Sequence, residues 1–546
     1  MNAAGIPPAL AITRRIALPL GPALAALLVL AYLLPGLVGH DPWKSEDAIG
    51  IGIVHQMIHH GQWLMPHLAG EPFFEDGPFY YWIAALTAQL VGWALAMHDG
   101  ARLASGVLTA AALWLTYRAG RELYGRTEGT SAALVLLGCL GLLVHAHETL
   151  AEIGMLAGQA LAWYGIALAK REPQRAGWPL GLGIVIAALS KGPAAAFAPL
   201  AIALVAPLIS VDWRRRTYLF TLLAATVIAL GILGGWLALV DARSPAVAEA
   251  WRHAQIAAFT APGAGTFVYW TETLAWTAWP AWPLAFWALW ERRHRRFEPG
   301  TRMLVAALAV SLVVLFAQRD PREVFALPML LPLALLAGAG APSLRRGAAN
   351  ALAWFGVMSA ALFGALVWLG WIAMMTGVPP TIARNFAKLE PGHVPLFSWV
   401  VFATALALTL AWLWLLLRSE RSALRGLTFW AAGTALLWGL LMTLWISWID
   451  YGMSYRPVAL ALKKALPAGT RCIGSRALGE TQRAAFDYHA NIVTERVERY
   501  GEPRCALLLV QARQGDNDRL SPGWKLLWEG NRPRDRERYR LYQRQT

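Results

Sequence analysis

The stretch FYYWIAALTAQLVGWALAM, residues 79–97, is apolar and long enough to be counted as a membrane helix. That decision fixes the side on which every later loop falls. Counted as a span, it scatters the basic clusters over both faces. Kept inside one external loop covering 40–98, it leaves 21 Lys and Arg in the connections on the N-terminal side of the membrane and 9 on the other. Cytoplasmic loops carry such an excess, so 79–97 reads as a helix lying at the interface. Tyr80, Tyr81, Trp82 and Trp93 supply the aromatic rings that suit the headgroup region.

Outward from this stretch the chain is a series of apolar blocks. Residues are 57% hydrophobic and only 15% charged, where a soluble domain carries about a quarter charged. Backbone groups in hydrocarbon must be satisfied internally, so the blocks are helices. The predicted spans run approximately 16–39, 101–119, 130–147, 150–169, 177–190, 193–211, 217–241, 271–290, 302–318, 323–341, 349–375, 397–417 and 427–448, thirteen in all. The first follows Arg14 and Arg15 and is too long for a signal h-region, so it reads as an uncleaved membrane helix. The net charge of +15 lies in short clusters between apolar blocks, which is an orientation signal rather than a nucleic-acid surface. A second interfacial helix is predicted over 46–60, closed by Gly61.

From Asp450 the chain turns polar. Cys505–Val510 and Trp524–Trp528 read as strands, Ala459–Leu466 and Thr481–Tyr488 as helices. The expected architecture is an all-α polytopic membrane domain, 1–448, followed by a small α/β domain, 449–546, placed outside by the odd number of spans. Cys139 reads as inert packing within an apolar block. Cys472 and Cys505 are able to pair if the tail is periplasmic, but spacing alone does not decide it.

With this topology the scarce ionisable groups gather at one face: Glu46, Asp47, Glu75, Asp76, His145, His147, Glu148, Glu152, Lys191, Arg319, Asp320 and Arg322. Cations there can hold a lipid phosphate, and a carboxylate can take the proton of an attacking hydroxyl. Each residue also has a plainer reading. Glu46 and Asp47 suit a helix N-terminus. Glu75-Asp76-Gly77-Pro78 suits a turn. Lys191 marks a helix end, and Arg319-Asp320-Pro321-Arg322 suits a solvated loop with a local ion pair. His147, Glu148 and Glu152 resemble scattered metal ligands, but His145 and His147 do not have the i, i+4 spacing of a helical metal site. The collection argues more strongly than any member.

The order of these motifs resembles the GT-C glycosyltransferases related to the lipid A aminoarabinose transferases and the protein O-mannosyltransferases, over nearly the whole chain. The resemblance rests on Ser45-Glu46-Asp47, on Gly61-Gln62-Trp63-Leu64-Met65-Pro66, on Phe73-Phe74-Glu75-Asp76-Gly77-Pro78 with Tyr80-Tyr81-Trp82, on His147 with Glu152, on Ser190-Lys191-Gly192-Pro193 and on Arg319–Leu336. It departs from the family at Ala48 and Ile49, where an Arg is usual, and at Asp76, Glu152 and His147, where Lys, Asp and Arg are usual. It implies a sugar donor carried on polyprenyl phosphate, undecaprenyl phosphate in bacteria. The sugar passes with inversion to an external acceptor: lipid A, another glycolipid or a protein. It implies Glu46, Asp47 and Glu152 as catalytic carboxylates. Glu75, Asp76, His147, Lys191, Tyr269, Arg319 and Arg322 are then substrate-binding residues, with no cofactor and a divalent cation left open. The implied location is the bacterial inner membrane, with the N-terminus cytoplasmic and the C-terminal domain periplasmic.

The rival readings are a transporter and a lipid-binding subunit without transferase activity. Transporters place polar groups near the midplane, often in inverted repeats. Here they collect at one face, and no repeat is visible in the sequence. Turnover by the purified protein separates an enzyme from a lipid-binding subunit.

Overall fold

The computed structural model describes residues 16–18, 20–295, 298–513, 523–533 and 535–545. Arg14, Arg15 and Arg296, counted above in the basic loops, lie outside the described residues. Each of the thirteen predicted segments is helical. Among the described residues six helices are long and apolar enough to cross a membrane by length and composition alone, including Tyr218–Arg243, Arg346–Thr376 and Trp399–Arg418. In the most apolar windows of Tyr218–Arg243 and Trp399–Arg418 only 17% and 11% of residues are buried. Apolar side chains facing outward along whole helices need a hydrocarbon solvent. The chain is a multi-pass membrane protein.

Several predicted segments differ in detail. The first helix covers only Pro22–Leu33 and is followed by Pro35 and by Gly36 at φ +87°. Segment 271–290 is two helices, Ala264–Thr277 and Ala281–Glu291, parted at Pro280, which has no N–H to continue the ladder. Segment 130–147 divides at Gly138 and Cys139 into Arg126–Leu137 and Leu140–His145. The decisive stretch forms a helix over Phe79–Val91, about 20 Å long and so short of a bilayer core. It packs on Met97–Leu123 with Tyr80 and Tyr81 buried beneath it.

The loop 40–98, read from the charges as external, carries the helix Glu46–His60 and a hairpin of β1 (His67–Leu68) and β2 (Glu71–Pro72). The C-terminal unit is a five-stranded sheet of order β4 (Glu495–Arg496), β3 (Ile473–Arg476), β5 (Leu507–Arg513), β7 (Glu537–Arg544) and β6 (Trp524–Gly530). β3 runs parallel to both β4 and β5, and the rest is antiparallel. Helices Arg456–Ala465 and Glu480–Ala490 share its core through Leu462, Phe486 and Tyr539. Cys472 and Cys505 are disulfide-bonded, with Cα atoms 5.3 Å apart. This unit sits on the external loop through Lys44–Glu537 (3.0 Å), Gln56–Asp487 (2.6 Å) and Arg483–Glu71 (3.2 Å). The first loop is thereby held between the sheet and the membrane helices.

Candidate active site

Two antiparallel helices, Ala151–Leu168 and Pro173–Lys191, form the floor of the site. They approach closely because small residues face each other. A Cβ on Gly158 would stand 2.5 Å from Ala187 N, so a larger residue would force the helices apart. The antiparallel crossing brings the first turn of one beside the last turn of the other. Glu152 and Lys191 meet there, Oε1 to Nζ 3.0 Å. A carboxylate at a helix N-terminus and an ammonium at a C-terminus also suit the two helix dipoles.

The external loop adds two more acids to the same lysine. Gly77 N–H donates to Ser190 O at 2.8 Å, an approach so close that a Cβ on Gly77 would strike Leu189 O. This seats Asp76 and Glu75 against Lys191, at 2.6 and 3.2 Å. Tyr81 Oη donates to the second oxygen of Asp76 at 2.5 Å. The lysine expected to meet a phosphate is therefore already ringed by three carboxylates.

Arg322 reaches the cluster from the far side. It pairs with Glu46 at 3.2 Å and with Glu75, and stacks over Phe325 with its guanidinium carbon 4.7 Å from the ring centre. Four carboxylates and two cations thus share one locus. A small acidic pocket lies among Glu46, Asp76, Tyr81, Glu152, Lys191 and Arg322. Beside it opens a cavity of about 280 Å³ with a polar rim at Gln255, Gln318 and Asp320 and an apolar wall that includes Ala195, Leu315 and Met329. Glu75, Lys191 and Arg322 line both hollows.

Asp47 has a different position. Its side chain is buried, and its oxygens accept from Arg102 Nη2 at 2.8 Å, from Arg102 Nε at 3.2 Å, from Thr149 N at 2.8 Å and from Trp43 N at 3.2 Å. Burial pushes the carboxyl up, but the charge and hydrogen bonds of Arg102 outweigh it and hold the group at about 2. Arg102, itself fully buried, also donates to the carbonyls of His40 and Asp41. The sequence lacks an arginine next to the acidic pair; the guanidinium comes instead from the helix Met97–Leu123.

Other expected site residues are placed elsewhere. His147 is buried against Trp438 with ring centres 4.6 Å apart, and its ring nitrogens meet the carbonyls of Leu143 and Tyr32. It packs the helices and does not line either hollow. Its neighbour His145 pairs with Glu148 (2.7 Å) and Glu323 (3.4 Å). Tyr269 packs edge-on against Trp270, outside the cavity lining. Arg319 is exposed and touches the site only through its backbone, whose N–H donates to Ala258 O. Glu46, Glu75, Asp76, Glu152, Lys191 and Arg322 are the expected residues that converge. Phe325 lies in the Arg319–Leu336 segment that carries the resemblance, whereas Arg102 and Gln255 are site residues that the sequence reading misses. A lone arginine inside an apolar segment was the available signal for Arg102, since such a charge demands a buried acid.

Hard divalent cations take oxygen ligands, and the four carboxylates of the cluster are already paired with Lys191 and Arg322. Cys472, Cys505 and Glu495 lie together in the C-terminal unit, but the disulfide leaves no thiolate to bind a metal.

The arrangement has relatives. Superposed on the crystal structure of ArnT from Cupriavidus metallidurans bound to undecaprenyl phosphate, the chain gives a TM-score of 0.67 at 17% identity, covering 95% of this chain and 97% of that one. The fold is thereby matched from end to end. The chain shares the fold of that protein. Residues 75–236 of the chain match the family described as dolichyl-phosphate-mannose-protein mannosyltransferase. It is 29% identical over 441 residues to the undecaprenyl phosphate-alpha-4-amino-4-deoxy-L-arabinose arabinosyl transferase of Pseudomonas savastanoi, 78% of this chain and 77% of that one. With the protein of the same description from Pseudomonas aeruginosa it shares 28% over 335 residues, 57% of each chain.

Proposed function

We propose that this protein transfers a sugar from a polyprenyl-phosphate donor to an acceptor at the periplasmic face of a bacterial inner membrane. The observation that carries this reading is the junction of the two hollows. An amphipathic cavity meets an acidic pocket, and the shared wall holds two cations, Lys191 and Arg322. A phosphate at that wall leaves its isoprenoid chain against the apolar side and turns its sugar toward Glu46 and Glu152. The relatives named as undecaprenyl-phosphate-sugar transferases support the donor class. The excess of basic residues on the opposite side supports a cytoplasmic N-terminus and a periplasmic site. The C-terminal unit, docked on the external loop, then shares that side.

The acceptor oxygen attacks the anomeric carbon in line with the departing phosphate. The new C–O bond forms as the bond to the phosphate oxygen breaks with its electron pair, and the configuration inverts. Lys191 and Arg322 stabilise the charge left on the phosphate. A hydroxyl acceptor gives its proton to Glu46, a carboxylate at the pocket whose Oε1 is paired with Arg322. A phosphate acceptor, as on lipid A, is already anionic and gives up no proton. Asp47 is a positioning residue in this scheme, since its oxygens are spent on Arg102, Trp43 and Thr149.

Purified full-length protein in nanodiscs, supplied with polyprenyl-phosphate sugars and a hydroxyl acceptor, tests the scheme. Glu46→Gln is expected to lower transfer by about 10²–10⁴-fold, the range of a general base. Unchanged turnover would remove Glu46 from the chemistry. Donor binding without turnover under any condition would favour the lipid-binding reading. Chelation by EDTA tests whether a divalent cation supplements the two side-chain cations.

A further inference from the structure

The four carboxylates of the cluster are not equivalent. Asp76 and Glu152 are buried, with side chains 8% and 2% exposed, and both are tied to Lys191. Asp76 is held further by Tyr81. Glu46 lies on the acidic-pocket side and does not line the larger cavity. Glu75 stands apart from these three. Its side chain is 35% exposed, its ion partners are Lys191 and Arg322, and it alone of the four lines the larger cavity. Its carboxylate bridges the two cations at the wall where the hollows meet.

We infer that Glu75 is a tethered stand-in for the phosphate: its carboxylate occupies the anion position between Lys191 and Arg322, and the lipid phosphate binds by displacing it. The inference rests on the proposed function and deepens it. Lys191 keeps Asp76 and Glu152, and Arg322 keeps Glu46, without Glu75. Glu75 is the carboxylate that both cations share on the cavity side, and it stands on a flexible side chain. Its partial exposure lets it rotate away, whereas Asp76 and Glu152 remain on Lys191 and keep the helices in register. The charges agree with an exchange. The cluster carries four acids against two bases, so adding a phosphate without removing a carboxylate would deepen an existing excess of negative charge. A displaced Glu75 turns toward solvent, and the phosphate inherits both cations. The same carboxylate competes for the cations after transfer. It therefore favours release of the bare polyprenyl phosphate, which is more highly charged than the sugar-bearing diester.

Glu75 thus acts against binding of the product lipid, although it lies in the binding wall. The test is direct binding of bare undecaprenyl phosphate to the full chain in nanodiscs, with Glu75→Gln and Glu75→Asp compared. Gln is isosteric and leaves Lys191 its two buried acids, and equal thermal melting of the variants checks that the fold is kept. Glu75→Gln is expected to bind undecaprenyl phosphate about tenfold more tightly, with product inhibition strengthened to match. Glu75→Asp keeps the negative charge and is expected to stay within about threefold of the parent. Binding that is unchanged or weakened in Glu75→Gln overturns the inference while the proposed function stands. A parent protein that binds no undecaprenyl phosphate overturns both.

Discussion

Replacing Lys191 by Met is expected to reduce sugar transfer by about a thousand-fold, as measured per folded molecule with saturating donor. Two losses combine. The departing phosphate loses a cation that strengthens its hold as charge develops, and removing one such group from a preorganised site costs about 10²–10³ in rate. The three acids on Lys191 also lose their shared partner: Asp76 at 2.6 Å, Glu152 at 3.0 Å and Glu75 at 3.2 Å. Two of these are buried, so one must take up a proton or the loop must shift. Lys191→Arg separates the two effects. It keeps a cation for the acids, and with it the melting temperature. A planar fork cannot satisfy three carboxylates around one point as an ammonium does, so transfer is expected to fall about tenfold. A Lys191→Met protein that melts normally and transfers normally would contradict the assignment.

Arg102→Met is expected to destabilise the protein by about 3–5 kcal/mol, the usual result of leaving one member of a buried ion pair alone. Arg102 is fully buried and joins Asp47, Asp99 and the carbonyls of His40 and Asp41. Without it the start of the external loop loses its anchor to the helix Met97–Leu123. The double variant Arg102→Met with Asp47→Asn is expected to recover part of the loss, because the buried Asp47 carboxylate is then gone and Asp99 keeps the Gly39 N–H as a donor. Thermal melting of the three variants measures the coupling. The pH dependence has a definite sign. Asp47 titrates at about 2 in the folded protein, below the ordinary carboxylate value of about 4. Its contribution is complete above about pH 4 and is lost as pH falls through about 2. Asp47→Asn is expected to flatten the stability profile across that interval.

Both variants bear on what the sequence discloses. Length and apolarity mark the membrane helices, because a 20-residue apolar run has few alternatives in any solvent. The same pattern cannot reveal where a run breaks, and Pro280 and Gly138 divide segments that look continuous. Residues whose partners are near in sequence or on neighbouring helices were legible: Glu152 and Lys191 sit at adjoining ends of consecutive helices, and Glu75-Asp76 lies in a turn beside them. Asp47 was not, because its role depends on an arginine 55 residues away. His147 is a substrate-binding residue by the family resemblance, yet its ring faces the carbonyl of Tyr32, 115 residues distant. Arg319 and Arg322 are three positions apart and indistinguishable by type. Only Arg322 turns inward, where Phe325 offers a face for its guanidinium. Which residues share a face was readable; which way each side chain turns was set by packing.

A cryo-EM map of the protein in nanodiscs with undecaprenyl phosphate tests the central claim most directly. The phosphate is expected within hydrogen-bonding distance of Lys191 Nζ and the Arg322 guanidinium, with Glu75 swung out of the wall between them. Phosphate density away from both side chains, or separated by protein from the pocket that holds Glu46, would contradict the account.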